Sequence, residues 1–110
     1  VALPKKLVKA LQARDHHCWH CGADGDVLVP HHRKNRGAGG SKLLDTLDNV
    51  VLVCAAWNGL MESDAASAEK ARQLGHKLRS WQDVSEPIFD NYEYEWYVLT
   101  PDGDRIVVTS

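Results

Sequence analysis

The chain has 110 residues, of which 44% are apolar and 25% charged, with a formal net charge of −2. That is enough for a single globular domain over 1–110, too apolar for a disordered chain and too short for two domains of ordinary size. No window approaches the ~18 uncharged apolar residues of a membrane span, and the N-terminus, which carries no initiator Met, lacks the apolar stretch of a secretory signal, so a soluble, cytoplasmic protein is expected.

The charge is divided unevenly. Residues 1–42 hold Lys5, Lys6, Lys9, Arg14, Arg33, Lys34, Arg36 and Lys42 against Asp15, Asp24 and Asp26, a net +5, while residues 43–110 carry a net −7. A basic half of this kind is compatible with an anionic ligand held on one side.

In chain order, Leu3, Leu7, Val8 and Leu11 predict a short amphipathic helix over 3–13 with Pro4 in its first turn. Cys18-Trp19-His20-Cys21-Gly22 reads as a tight knuckle. Val27-Leu28-Val29 reads as a short strand stopped at Pro30, which cannot donate to a ladder. His31-His32-Arg33 follow, then a polar, glycine-rich loop over 33–48 that includes Arg36, Gly37, Gly39 and Gly40. Asn49 opens a second strand, Val50–Cys54. Ala55–Met61 predicts a short helix, and Ser63 is placed to cap another over Asp64–Leu74, ended by Gly75. Tyr92–Leu99 and Ile106–Val108, joined by the turn Pro101-Asp102-Gly103-Asp104, predict a C-terminal β-hairpin within an extension over about 88–110.

Three cysteines, two of them in a Cys-x-x-Cys pair, point to reduced thiols and metal binding rather than to a disulfide framework. A redox role is disfavoured because no thioredoxin-like βαβ pattern surrounds the pair. Five of the six histidines fall between residues 16 and 32, a concentration that draws attention to the same stretch.

A Cys-x-x-Cys knuckle, a strand ending in His-His-Arg, a second strand that begins at Asn49 and ends at Cys54, and a helix carrying Asn58 follow one another in this order. The constellation resembles the HNH endonucleases, the ββα-metal (His-Me finger) nucleases, and in particular small phage-type members with a loop like His31-His32-Arg33-Lys34-Asn35-Arg36-Gly37-Ala38-Gly39-Gly40. The likeness covers about residues 14–75 and leaves the C-terminal hairpin outside. It implies an α+β fold with a ββα-metal core, flanking helices and a C-terminal β-hairpin.

The resemblance also implies roles. His32 is the expected general base, since imidazole takes up a proton near neutral pH. His31 and Asn58 are the expected ligands of one catalytic divalent ion, which makes the chain a His-Asn-Asn variant. Asn49 is expected to hold the general base in place through hydrogen bonds across the loop. An amide oxygen is a harder donor than imidazole and favours Mg²⁺ or Mn²⁺, with Ni²⁺ or Zn²⁺ as softer alternatives. Arg33, Arg36 and Lys34 are candidate phosphate ligands for DNA.

In relatives with a structural zinc, two Cys-x-x-Cys knuckles clasp the ion. Here Cys18, Cys21 and Cys54 are present and the fourth position is Trp57. Two readings stand: a structural Zn²⁺ completed by His16, His17 or His20, or an ion lost, with Trp57 filling its space. The activity expected is DNA endonuclease cleavage, with phage packaging proteins such as terminase as further partners in a bacterium or phage-infected cell. The competing function is a non-catalytic zinc-knuckle module that binds nucleic acid or protein. Among the aromatic residues near the C-terminus, Asp90, Glu93 and Glu95 would repel a phosphate backbone, so that segment reads as a packing element or protein-interaction edge.

Overall fold

The computed structural model describes residues 3–35 and 42–109. The loop residues Arg36, Gly37, Gly39 and Gly40 therefore lie outside the described residues. The elements are α1 (Lys5–Arg14), β1 (Leu28–His32), β2 (Val50–Cys54), α2 (Ala55–Ser63), α3 (Ala65–Gln73), β3 (Ile88–Asp90), β4 (Glu95–Leu99) and β5 (Arg105–Val107). Short 3₁₀ turns occur at Gly25–Val27 and Lys42–Leu44. The fold is α+β, with three helices and two small antiparallel sheets among the described residues, and none of these helices is long and apolar enough to cross a membrane.

The β1–β2 hairpin is central, and β2 is buried along its whole length. Val51 and Val53 face one cluster with Trp19, Trp57, Met61 and Ile88, while Val50 and Leu52 face another with Leu11 and the flanking Leu3, Leu7 and Leu47. Alternating side chains of a single apolar strand thus serve two cores, α1 on one face and α2 on the other.

Pro30 does not stop β1, which continues through His31 and His32. The register sets Pro30 opposite Leu52, and Leu52 sends its own N–H away from β1, to Asp15 Oδ2 at 3.1 Å. Pro30 therefore occupies a position where no ladder donor is needed. The outer edge of β2 is closed by side chains. Arg14 Nη2 donates to the Val50 carbonyl at 2.9 Å, Arg14 also donates to the Leu47 carbonyl, and Arg14 Nε meets Asp15 Oδ1 at 2.8 Å. This buried pair takes the place of a third strand and protects an otherwise open edge. It also explains why α1 runs to Arg14.

Cys54 is the N-cap of α2, its sulfur accepting from Trp57 N at 3.3 Å. The cap of α3 is Asp64 rather than the expected Ser63. The Asp64 carboxylate accepts from Ser67 N at 2.9 Å, whereas Ser63 Oγ turns back to the Gly59 carbonyl at 2.8 Å. An ionised acceptor suits the positive end of a helix better than a hydroxyl does. The C-terminal hairpin gains a third strand, giving the order β3-β4-β5. Although only three residues long, β3 is fully buried, and Phe89 packs on Tyr94 and Trp96 with ring centroids 5.1 Å away in each case. Tyr92 and Tyr94 nevertheless remain largely exposed.

Gly75 ends α3 at φ +74°, and a Cβ there would lie 2.1 Å from the Pro87 carbonyl oxygen. Gly75→Ala is expected to destabilise the fold by about 2–4 kcal/mol, combining left-handed strain with overpacking against backbone. Gly25→Ala, at a similar φ but with nothing within 4 Å, should cost only about 1 kcal/mol. Urea melts of the two variants test the difference, and equal midpoints would refute it.

Candidate functional site

The end of β1 and the start of α2 converge. His31 is buried and donates from Nε2 to the His76 carbonyl at 2.8 Å, with Asn58 near enough to influence its ring. Burial holds the imidazole below its usual pKa, against the opposing effect of the His76 carbonyl. A neutral ring whose Nε2 carries the proton leaves Nδ1 as its lone-pair atom. Glu62, one turn beyond Asn58 on α2, stands 3.9 Å from Lys77 Nζ.

His32 leaves β1 on the opposite face and is half-buried. Its Nε2 lies 2.7 Å from Asp45 Oδ1. Asn49 is fully buried: Oδ1 accepts from Lys34 N at 2.8 Å, and Nδ2 donates to the carbonyls of Lys34 at 3.1 Å and Leu44 at 2.9 Å. These are bonds across the loop of the kind anticipated for Asn49.

Arg33 requires a correction. Expected to meet phosphate, it is 1% exposed and turned inward. Its Nε donates to Gly75 O, Nη1 to Asp48 O and Val84 O, and Nη2 to Glu86 O and Pro87 O. All its nitrogens are thus engaged with main-chain carbonyls, and burial lowers its pKa to about 10. Arg33 ties the end of β1 to the α3–β3 connection. Lys34 remains half-buried, with its main chain held by Asn49. Exposed cations occur instead on α1, at Lys5, Lys6 and Lys9. Lys6 and Asp45 line a common surface groove of about 420 Å³.

His76 and Asp45 carried no sequence signal. His76 is fully buried, accepts at Nδ1 from Trp57 Nε1 at 3.1 Å and donates from Nε2 to Phe89 O at 2.7 Å. With its carbonyl on His31, it links α2, β3 and β1. Burial pushes its pKa down to about 3. Both residues act through partners distant in sequence, and only a glycine helix stop before one and a polar loop around the other mark their positions.

The three cysteines come together as anticipated. Their sulfurs all lie within 4.8 Å of one another. Two sulfurs bound tetrahedrally to zinc at ~2.3 Å would stand about 3.8 Å apart, and Cys21 Sγ and Cys54 Sγ are 3.7 Å apart. Main-chain N–H groups of His20 and Trp57 each approach a sulfur, Cys18 and Cys54 respectively, at 3.3 Å. Burial raises the Cys18 thiol to about 11, while the Ala23 main-chain N–H lowers that of Cys21. The cluster can bind a metal ion such as zinc.

Among the described residues, no histidine or carboxylate joins the three sulfurs. The histidines expected as a fourth ligand are engaged elsewhere. His17 Nε2 is 3.3 Å from Asp90 Oδ2, His20 stacks on Trp57 at 3.7 Å, and His16 lines a separate groove with Gln12 and Pro30.

No protein-family model, curated protein or solved structure matches this chain.

Proposed function

We propose that the chain is a metal-dependent DNA endonuclease of the HNH type, its ββα core formed by β1, β2 and α2. The reading is supported above all by the chain arrangement: β1 and β2 pair antiparallel, α2 follows β2 directly, and His31 and His32 end β1. His31 and Asn58 would hold the ion: the Asn58 amide oxygen is a hard donor suited to Mg²⁺ or Mn²⁺, and since neither ligand is charged the DNA phosphate would supply the negative charge. When bound, that ion supplies electrophilic stabilisation at the phosphate and the leaving oxygen.

The remaining chemistry belongs to the chain. His32 Nδ1 takes the proton from a water whose oxygen attacks phosphorus. The bond to the 3′ oxygen breaks and that oxygen takes a proton from solvent, leaving 5′-phosphate and 3′-hydroxyl ends. Asn49 holds the turns before and after the loop so that His32 is aimed before DNA arrives. The exposed Lys5, Lys6 and Lys9 of α1, of which Lys6 lines the groove that contains Asp45, supply cationic surface for phosphates in place of Arg33.

Supercoiled plasmid is expected to be nicked by the purified protein in Mg²⁺ or Mn²⁺ and protected by EDTA, with activity restored when the same ion is returned in excess. The absence of nicking with either ion would overturn the reading. It would favour a non-catalytic module built on the cysteine cluster, which does not depend on His31, His32 or Asn58.

A further inference from the structure

We infer that Asp45 is a positioning residue for His32. The inference rests on the nuclease reading above for its catalytic consequence, but its structural content stands on the contacts alone. A carboxylate can only accept, so the 2.7 Å contact between His32 Nε2 and Asp45 Oδ1 requires the proton to be on Nε2. The lone pair is then on Nδ1, which becomes the atom able to take a proton from water. The side chains are 21% and 10% exposed, so the bond is largely shielded from water while His32 still reaches the surface.

The placement of Asp45 is not incidental to the loop. Asn49 bonds both the N–H and the C=O of Lys34, two residues beyond His32. The same amide donates to the carbonyl of Leu44, the residue immediately before Asp45. One buried side chain thereby sets the separation between the segment carrying the base and the segment carrying its carboxylate. The main chain adds a second tie, with Arg33 N donating to Asn49 O at 2.9 Å. Asp45 thus has two effects: it selects the tautomer and restricts rotation of the ring.

The test compares wild type with Asp45→Ala, using plasmid-nicking kinetics, thermal melting and ¹⁵N spectra of the histidine rings at a pH where His32 is neutral. Asp45→Ala is expected to lower kcat about 10- to 100-fold, with KM within about twofold and little change in melting temperature. The His32 spectrum should change from the Nε2–H tautomer to a mixture. Asp45→Asn, nearly isosteric, carries the same test should the alanine variant fail to fold. It should also yield a tautomer mixture, because its amide can present a donor to Nε2. A wild-type kcat with an unchanged His32 spectrum would overturn the proposal, as would a loss confined to KM. If wild type itself does not cleave, the nuclease reading falls and the spectrum alone decides. A tautomer change on losing Asp45 upholds the pairing, and an unchanged spectrum refutes it.

Discussion

His32→Ala is expected to reduce DNA cleavage by about 10²–10⁴-fold, the usual contribution of a general base, while leaving the melting temperature almost unchanged. The stability expectation follows from position. His32 stands at the last residue of β1, is half-buried and directs its ring toward Asp45 rather than into either core. The main-chain ladder is untouched, and the register through Val50 persists. The contrast with its neighbour is the control. His31 is 4% exposed and bonded to the His76 carbonyl, so His31→Ala should lose stability as well as activity by leaving a cavity and a buried carbonyl without its donor. Gel-based nicking assays and melting curves on both variants check this pairing. Near-normal cleavage by His32→Ala would remove it from the mechanism.

Removal of metal from the cysteine cluster is expected to have the largest effect on stability. Protein purified without added metal should contain about one zinc per chain by elemental analysis, and a strong chelator should lower the melting temperature by 10 °C or more, on the order expected when a structural ion contributes folding free energy directly. The physical argument is the geometry of Cys18, Cys21 and Cys54, which links the knuckle after α1 to the junction of β2 and α2. Cys18 and Cys54 are buried and Cys21 is exposed. Thus an ion held there would meet solvent on the Cys21 side. Cys54→Ser should remove the zinc and lower the melting temperature in parallel through the lost ligand, since the serine hydroxyl can still cap α2. A metal-free preparation with an unchanged melt after chelator treatment would show instead that the three sulfurs pack as small apolar groups.

Several features were legible because they are local. The apolar run Val50–Cys54 reads as a buried strand by composition alone, and the spacing of Leu7 and Leu11 reads as one helix face. The stop at Gly75 is likewise local, since a left-handed backbone there favours glycine. Cys-x-x-Cys implies a knuckle because four residues in one turn bring the two thiols close. Asn49 was legible as a loop-bridging residue, and its bonds to Lys34 and Leu44 are of that kind.

Other features depended on which distant segments come to lie beside a residue. Its missing N–H alone marks Pro30 as a strand stop. The outward register of that position, fixed by pairing with Leu52, makes the missing donor harmless. Arg33 looked like a phosphate ligand because a guanidinium in a basic loop usually faces solvent. Its five acceptors come from Asp48 and from the segment between Gly75 and Pro87, and none of them is near it in sequence.

The sequence by itself determined the hairpin strands, the helices and the thiol knuckle, because propensity, apolar period and short-range geometry act within a few residues. Tertiary structure decided what each polar side chain does. It turned Arg33 inward, buried His76 between α2 and β3, left the candidate zinc histidines apart from the three sulfurs and brought Asp45 to His32. The reason is that a buried polar group must find its hydrogen-bond partners wherever the fold supplies them, and those partners are chosen by packing between segments rather than by sequence neighbours.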